Sequence, residues 1–207
     1  MSKLKLMTAA ALLALATSPA LSADLRIGLQ EDPDILDPDQ SRTFVGRIVY
    51  ASLCDKLVDI TPDLKIIPML ATEWAWSDEG KTLTMKIREG VKFHDGTDLN
   101  AEAVKANIDR SKDLKESRRK SEVASIDNVE VTGPYEVKIS LKSPDATLIA
   151  QFADRAGMMI SPKAANEMGL DFGNAPVCSG PFKFVERVQQ DRIVLEKFAD
   201  YWDKDNI

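Results

Sequence analysis

Few side chains in this 207-residue sequence could carry covalent or metal chemistry. His94 is the single histidine, so a Ser-His-Asp or Cys-His hydrolytic site would have to be built on it. A zinc site usually takes about four nitrogen or sulfur ligands, and one histidine with Cys54 and Cys178 supplies too few. Carboxylates crowd into Glu31-Asp32-Pro33-Asp34-Ile35-Leu36-Asp37-Pro38-Asp39, which invites a cation. These acids do not alternate around a glycine as a calcium loop requires, and each proline holds the residue before it extended. Trp74, Trp76 and Trp202 could stack a ligand, but Trp74 and Trp76 share one strand face, a placement suited to core packing. No phosphate-binding or dinucleotide glycine fingerprint occurs. Catalytic residues and metal ligands are therefore assigned to none of these positions, and no cofactor is expected.

The elements that must hold these residues are both helical and extended. Leu83, Met85 and Ile87 alternate with polar residues from Thr82 to Arg88, the pattern of a half-buried strand. Asp78-Glu79-Gly80 and Asp95-Gly96 supply turns on either side. Val45, Ile48, Val49, Leu53 and Leu57 recur at helical spacing. Asn100 is suited to cap a helix running to about Leu114, with Glu102 favourable in its first turn. Val129, Val131, Tyr135, Val137, Ile139 and Leu141 around Gly133-Pro134 predict a hairpin. Ser143-Pro144 and Ser161-Pro162 each resemble a cap followed by proline at the first helical position, and the second of these helices stops at Gly169. Short strands are expected at Arg26–Leu29, Leu57–Ile60 and Lys65–Ile67, and a strand pair at Phe182–Val188 and Arg192–Phe198. The fold class is α/β with mixed sheets.

Residues 1–23 combine Lys3 and Lys5, an apolar run from Ala9 to Ala16 and a small-residue close at Ala20, Ser22 and Ala23, which describes a cleaved secretory signal peptide. That run is too short to span a bilayer. Without Lys3 and Lys5, 25 basic residues face 33 acidic ones, a net charge of −8. Nucleic acid and anionic membrane are disfavoured as partners, since both reward a basic surface. The basic run Lys112–Lys120 is broken by acids and reads as a solvated helix end or loop. The hydrophobic share of 44% is enough for real cores, in one or two domains. In an exported chain Cys54 and Cys178 can pair, tying the first helix to the Cys-Ser-Gly-Pro turn, or stand as separate thiols.

The segment Ala71–Gly96, with its tryptophan, acidic-glycine turn, alternating strand ending in Arg88 and Phe93-His94-Asp95-Gly96 close, resembles the signature of the family 5 solute-binding proteins. These are extracytoplasmic receptors of ABC importers for peptides, nickel and related solutes. Leu36-Asp37-Pro38, Leu53–Val58, Pro68–Ala71, Leu99–Val104, Ser161-Pro162-Lys163 and Cys178–Phe184 stand in family order, as does Tyr201-Trp202. Each motif is weak alone; their order over essentially all of the mature chain makes the set specific.

The resemblance implies a periplasmic binding protein of type II-like fold, here an N-terminal lobe with an inserted domain and the C-terminal lobe missing. Residues 24–54 and 162–207 would form an incomplete, discontinuous domain I, and residues 55–161 domain II. Family members are usually more than twice as long and bind ligand between domains I and III, so this chain would hold at most one wall of the site. Counting forward from Leu36-Asp37-Pro38 places Arg42, Thr43 and Phe44 at that wall. Arg42 could pair with a ligand carboxylate, or be a surface arginine at a helix start. Cys178, Ser179 and Gly180 are further candidates, with a tight structural turn as the alternative. His94 would belong to a structural turn. The implied role is a periplasmic, non-enzymatic receptor, a monomer when complete, that closes on a peptide-like ligand and meets a membrane permease. Nickel is disfavoured by the scarcity of histidine; opines and sugars stay open. A truncated product without solute binding and a secreted hydrolase are the rival readings.

Overall fold

A computed structural model describes residues 24–207; the expected signal peptide, residues 1–23, lies outside the described residues. Alternating apolar residues organise the larger sheet. Strands β3 (Ala71–Ser77), β4 (Thr82–Ile87), β5 (Ile126–Gly133) and β6 (Glu136–Leu141) pair antiparallel in the order β3-β4-β6-β5. Register aligns Trp76, Leu83, Ile139 and Val129 in one row and Trp74, Met85, Val137 and Val131 in the next. Leu83, Met85, Val137 and Ile139 are fully buried, each contributing about 1.5–3 kcal/mol of burial. Trp74 and Trp76 are half-buried against the same core, the packing role their shared face implies.

Helix α2 (Ala101–Asp113) covers this sheet with Val104 and Ile108, and Asn100 caps it by accepting the Ala103 N–H at 3.0 Å. The short strands β1 (Val58–Ile60) and β2 (Ile66–Pro68) form a separate antiparallel pair. A second core gathers Leu36, helix α1 (Phe44–Leu53) through Val49, Tyr50 and Leu53, and Ile160, Phe172 and Cys178. After the four-residue helix α3 (Leu148–Gln151), helix α4 (Pro162–Met168) is capped by Ser161 and ends at Gly169, whose φ of 58° suits glycine. Strands β7 (Phe182–Val188) and β8 (Arg192–Lys197) close the chain as a hairpin.

Three local expectations change. Residues 26–29 form no strand and leave Leu25 and Ile27 exposed, because no described strand lies alongside to accept their backbone hydrogen bonds. Helix α1 stops at Leu53: Cys54 turns extended, and Leu57 packs in the core of the four-stranded sheet instead. Ser143-Pro144 caps nothing. The turn before α3 is made by Asp145, whose carboxylate accepts the Thr147 N–H at 2.9 Å and its hydroxyl at 2.6 Å.

The two cores meet where the chain leaves α1. Cys54 and Cys178 are joined in a disulfide and both are buried. Next to it, buried Asp55 accepts hydrogen bonds from Trp202 Nε1 at 2.6 Å and the Tyr201 hydroxyl at 3.2 Å. The Trp202 ring lies 4.0 Å from the Arg88 guanidinium carbon, so the end of the described chain is tied back to the sheet. Burial pushes the Asp55 carboxyl up to about 6 against the pull of those two donors.

Two measurements follow from this junction. Alkylation of the unreduced, denatured protein should label neither cysteine, and prior reduction should expose both; labelling before reduction would rule the bond out. Asp55 has a folded pKa above its unfolded value of about 3.9, so its stabilising protonated form is complete at low pH and is lost as pH rises through 6. Asp55→Asn should therefore lose about 2–3 kcal/mol less than the parent between pH 4 and 7 in urea titrations. Parallel pH profiles would refute this assignment.

Candidate functional site

The loop before α1 has no regular structure, so its polar groups depend on side chains. Asp34 accepts hydrogen bonds from the Ser41 hydroxyl at 2.8 Å, the Arg42 N–H at 2.8 Å, the Ile35 N–H at 3.0 Å and the Thr43 hydroxyl at 3.1 Å. Burial opposes its ionisation, but these donors outweigh it and lower the Asp34 carboxyl below the usual range. Thr43 also caps α1, accepting the Gly46 N–H at 3.3 Å. The backbone of Ser41, Arg42 and Thr43 is thus set by one carboxylate.

The preceding acids are held from α2. Arg110 grips Asp37 with two bonds, of 2.7 and 3.1 Å, and also pairs with Asp39. Ser111 donates to Asp39 at 2.6 Å, and the Arg118 N–H donates to the Asp39 carbonyl at 2.7 Å. Burial still raises the Asp39 carboxyl against the pull of Arg110 and Ser111. Farther along, the Ser41 carbonyl accepts from both Arg119 and Arg155 at 3.2 Å. Asp32 pairs with Arg187 at 2.9 Å. The acidic loop therefore spends its carboxylates on arginines, hydroxyls and backbone donors.

On this base, Arg42 and Phe44 face outward, Phe44 with 67% of its surface exposed. Thr43 is half-buried, its hydroxyl committed to Asp34 and the helix cap. Ile48, one turn on, is also exposed, and the Arg47 guanidinium lies 5.6 Å from the Phe44 ring centre. The structure thus brings Arg42, Phe44, Arg47 and Ile48 to one end and side of α1.

Cys178, Ser179 and Gly180 lie elsewhere and are all buried. Ser179 donates to the Met159 carbonyl at 3.3 Å, and the Gly180 N–H donates to the Leu53 carbonyl at 2.8 Å. A Cβ on Gly180 would fall 2.6 Å from the Leu53 carbonyl atoms and 2.9 Å from the Cys54 nitrogen, so only glycine allows this approach. His94 locks the same loop: its Nδ1 accepts the Cys178 N–H at 3.2 Å, and its Nε2 donates to the Gly180 carbonyl at 3.0 Å. Burial lowers the His94 pKa, in keeping with this neutral tautomer. Both ring nitrogens are engaged, so neither is free to act as a base. These contacts favour the tight structural turn for residues 178–180.

Arg110, Arg119 and Arg155 escaped the sequence reading. Arg119 belongs to the run expected to be solvated, yet it is buried, pairs with Glu122 and reaches the Ser41 carbonyl. A basic run broken by acids was the one available signal; partners lying 71–114 residues apart carry no local pattern.

Comparison with known proteins places this geometry. The solved structure of AgaA from A. tumefaciens R10 in complex with agropinic acid aligns with a TM-score of 0.75 at 31% identity, covering 84% of this chain and 35% of that one. The substrate-binding domain of an oligopeptide ABC transporter from Bacillus anthracis str. Ames aligns with a TM-score of 0.81 at 20% identity, over 87% and 39%, which shows the fold alone. The fold is that of part of a type II periplasmic binding protein. Residues 65–207 match the bacterial extracellular solute-binding proteins, family 5 Middle, and the chain belongs to this family. It is 38% identical over 190 residues to the glutathione-binding protein GsiB of Salmonella typhi, and 37% identical over 191 residues to that of Escherichia coli (strain K12). Each match covers 91% of this chain and 37% of the relative, so the chain spans little more than a third of the curated relatives' length.

Arg110→Ala would leave Asp37 and Asp39 buried without a counter-charge. We expect a loss of about 3–5 kcal/mol in denaturant unfolding, with earlier proteolytic cleavage between Asp37 and Thr43. An unchanged midpoint would show that the acidic loop stands without α2.

Proposed function

We propose that this chain forms one wall of the solute site in a periplasmic receptor that delivers a peptide-like ligand to the permease of an ABC importer. The observation that carries it is the outward-facing Arg42 and Phe44, held rigid from below in a family 5 chain. A charged fork beside an exposed aromatic ring suits a ligand with a carboxylate and an apolar part. The glutathione-binding relatives make glutathione or another short peptide the first solute to test.

In this reading residues 24–54 and 162–207 belong to domain I and residues 55–161 to domain II. The two hydrophobic cores support that division, one drawn from residues 57–159 and the other from residues 36–54 and 158–178. Ligand would stabilise a closed arrangement against the opposing lobe, by as much as its affinities for the open and closed forms differ. No bond is made or broken. Export through the N-terminal segment would place a monomeric receptor in the periplasm. Cys178, Ser179 and Gly180 would then serve as a support behind the wall.

The test uses the receptor in its full natural reading frame, screened by thermal shift and calorimetry against glutathione, di- and tripeptides and opines. A bound solute at about 100 times its Kd should add about 2.7 kcal/mol, a rise of several degrees in Tm. Arg42→Ala and Phe44→Ala should each weaken binding about tenfold. A full-length receptor that no peptide, glutathione or opine stabilises would overturn the proposed function.

A further inference from the structure

A cleft of about 830 Å³ opens at one end of the four-stranded sheet, and no residue of α1 lines it. Its walls are Thr72 at the start of β3, Lys86 to Glu89 at the end of β4, and the Gly133–Glu136 turn between β5 and β6. Main-chain hydrogen bonds fix these walls. The Arg88 N–H donates to the Leu70 carbonyl at 2.7 Å, and the Ile87 N–H to the Tyr135 carbonyl at 2.8 Å. The Ala101 N–H holds the turn from behind, donating to the Pro134 carbonyl at 2.9 Å. The volume falls in the range of small-molecule sites, about 300–1,000 Å³.

Arg88 enters this cleft already oriented. Its Nε donates to the Met69 carbonyl at 3.1 Å, and the Trp202 ring lies 4.0 Å from its guanidinium carbon. Trp202 is held in turn by Asp55, through Nε1 at 2.6 Å. Among the described residues Arg88 forms no ion pair, and neither terminal nitrogen has a hydrogen-bond partner. A guanidinium stacked on a ring and tied through Nε keeps its two-nitrogen edge for a carboxylate. It also loses little freedom when one binds.

The neighbouring charges restrict what that carboxylate belongs to. Lys86 is already paired with Glu73 at 2.8 Å. Glu89 is exposed without an ion pair among the described residues, and the Glu136 carboxylate accepts the Thr132 hydroxyl at 2.7 Å. One uncommitted guanidinium therefore shares the cleft with two carboxylates. A simple anion meets repulsion from Glu89 and Glu136, and a simple cation meets repulsion from Arg88. A small zwitterion satisfies both signs. We propose that this cleft is a second ligand site, which takes a free amino acid with an apolar side chain. The carboxylate binds Arg88, the ammonium faces Glu89 and Glu136, and Pro134 and Tyr135 offer apolar surface to the side chain. The site is independent of the solute wall on α1.

The experiment uses the receptor in its full natural reading frame carrying Arg42→Ala and Phe44→Ala, which disables the α1 wall and leaves the cleft intact. Calorimetry compares leucine with N-acetyl-leucine, which lacks the ammonium, and with leucinamide, which lacks the carboxylate. Leucine should bind saturably and at least about tenfold more tightly than either analogue. Arg88→Gln should abolish the preference over leucinamide, and Glu89→Gln with Glu136→Gln the preference over N-acetyl-leucine. If the Arg88→Gln variant fails to fold, Arg88→Lys stands in: it keeps the charge without the fork and should keep only part of the preference. No saturable leucine binding, or preferences that survive these substitutions, overturns the inference. The solute site on α1 is tested separately, by the peptide panel on the parent receptor, so the two can fail independently.

Discussion

Arg110 neutralises the two buried carboxylates of the irregular acidic loop, Asp37 and Asp39. Residues 31–43 have neither helix nor sheet to satisfy their backbone, and Asp37 is fully buried. Two buried carboxylates would be untenable alone. The paired bonds from Arg110 to Asp37, its contact with Asp39 and the Ser111 hydroxyl turn that liability into a fixed joint between α2 and the loop. Everything at the start of α1 inherits its position from this joint: the Asp34 cage, the Thr43 cap and the outward set of Arg42 and Phe44. In the proposed receptor such rigidity would favour binding, because ordering the loop on binding would subtract from affinity.

A second constraint acts at the other end of α1. The chain crosses between two hydrophobic cores at residues 54–57, and the return crossing runs past residues 158–160. A disulfide, the close approach of Gly180 to the helix terminus and the His94 clamp all act on this crossing. Asp55 adds the Tyr201 and Trp202 contacts on the opposite side. The single histidine is consequently a structural group. Its neutral ring bridges a donor and an acceptor of one turn, and the hydrolase reading loses the only base it had.

The charges divide by task. Arg110 is matched by two carboxylates and serves cohesion. Arg155 is matched by none among the described residues and lies against the carbonyls of the candidate wall.

Period-two alternation at Leu83, Met85 and Ile87, the Asn100 and Ser161 caps and the Gly133-Pro134 turn were enough to locate the main strands and helices. Such signals act within a few residues, so they are written locally. The family motifs, read in order, also identified the family and pointed to Arg42–Phe44. Tertiary structure alone decided the rest. It ended α1 at Leu53, left residues 26–29 without a partner strand and buried Arg119 out of a run that looked solvated. It closed residues 178–180 around His94 and brought Arg155 beneath residues more than a hundred positions earlier in the chain. Those outcomes depend on which distant surfaces meet and on which buried charges must then be matched, and no local pattern records that.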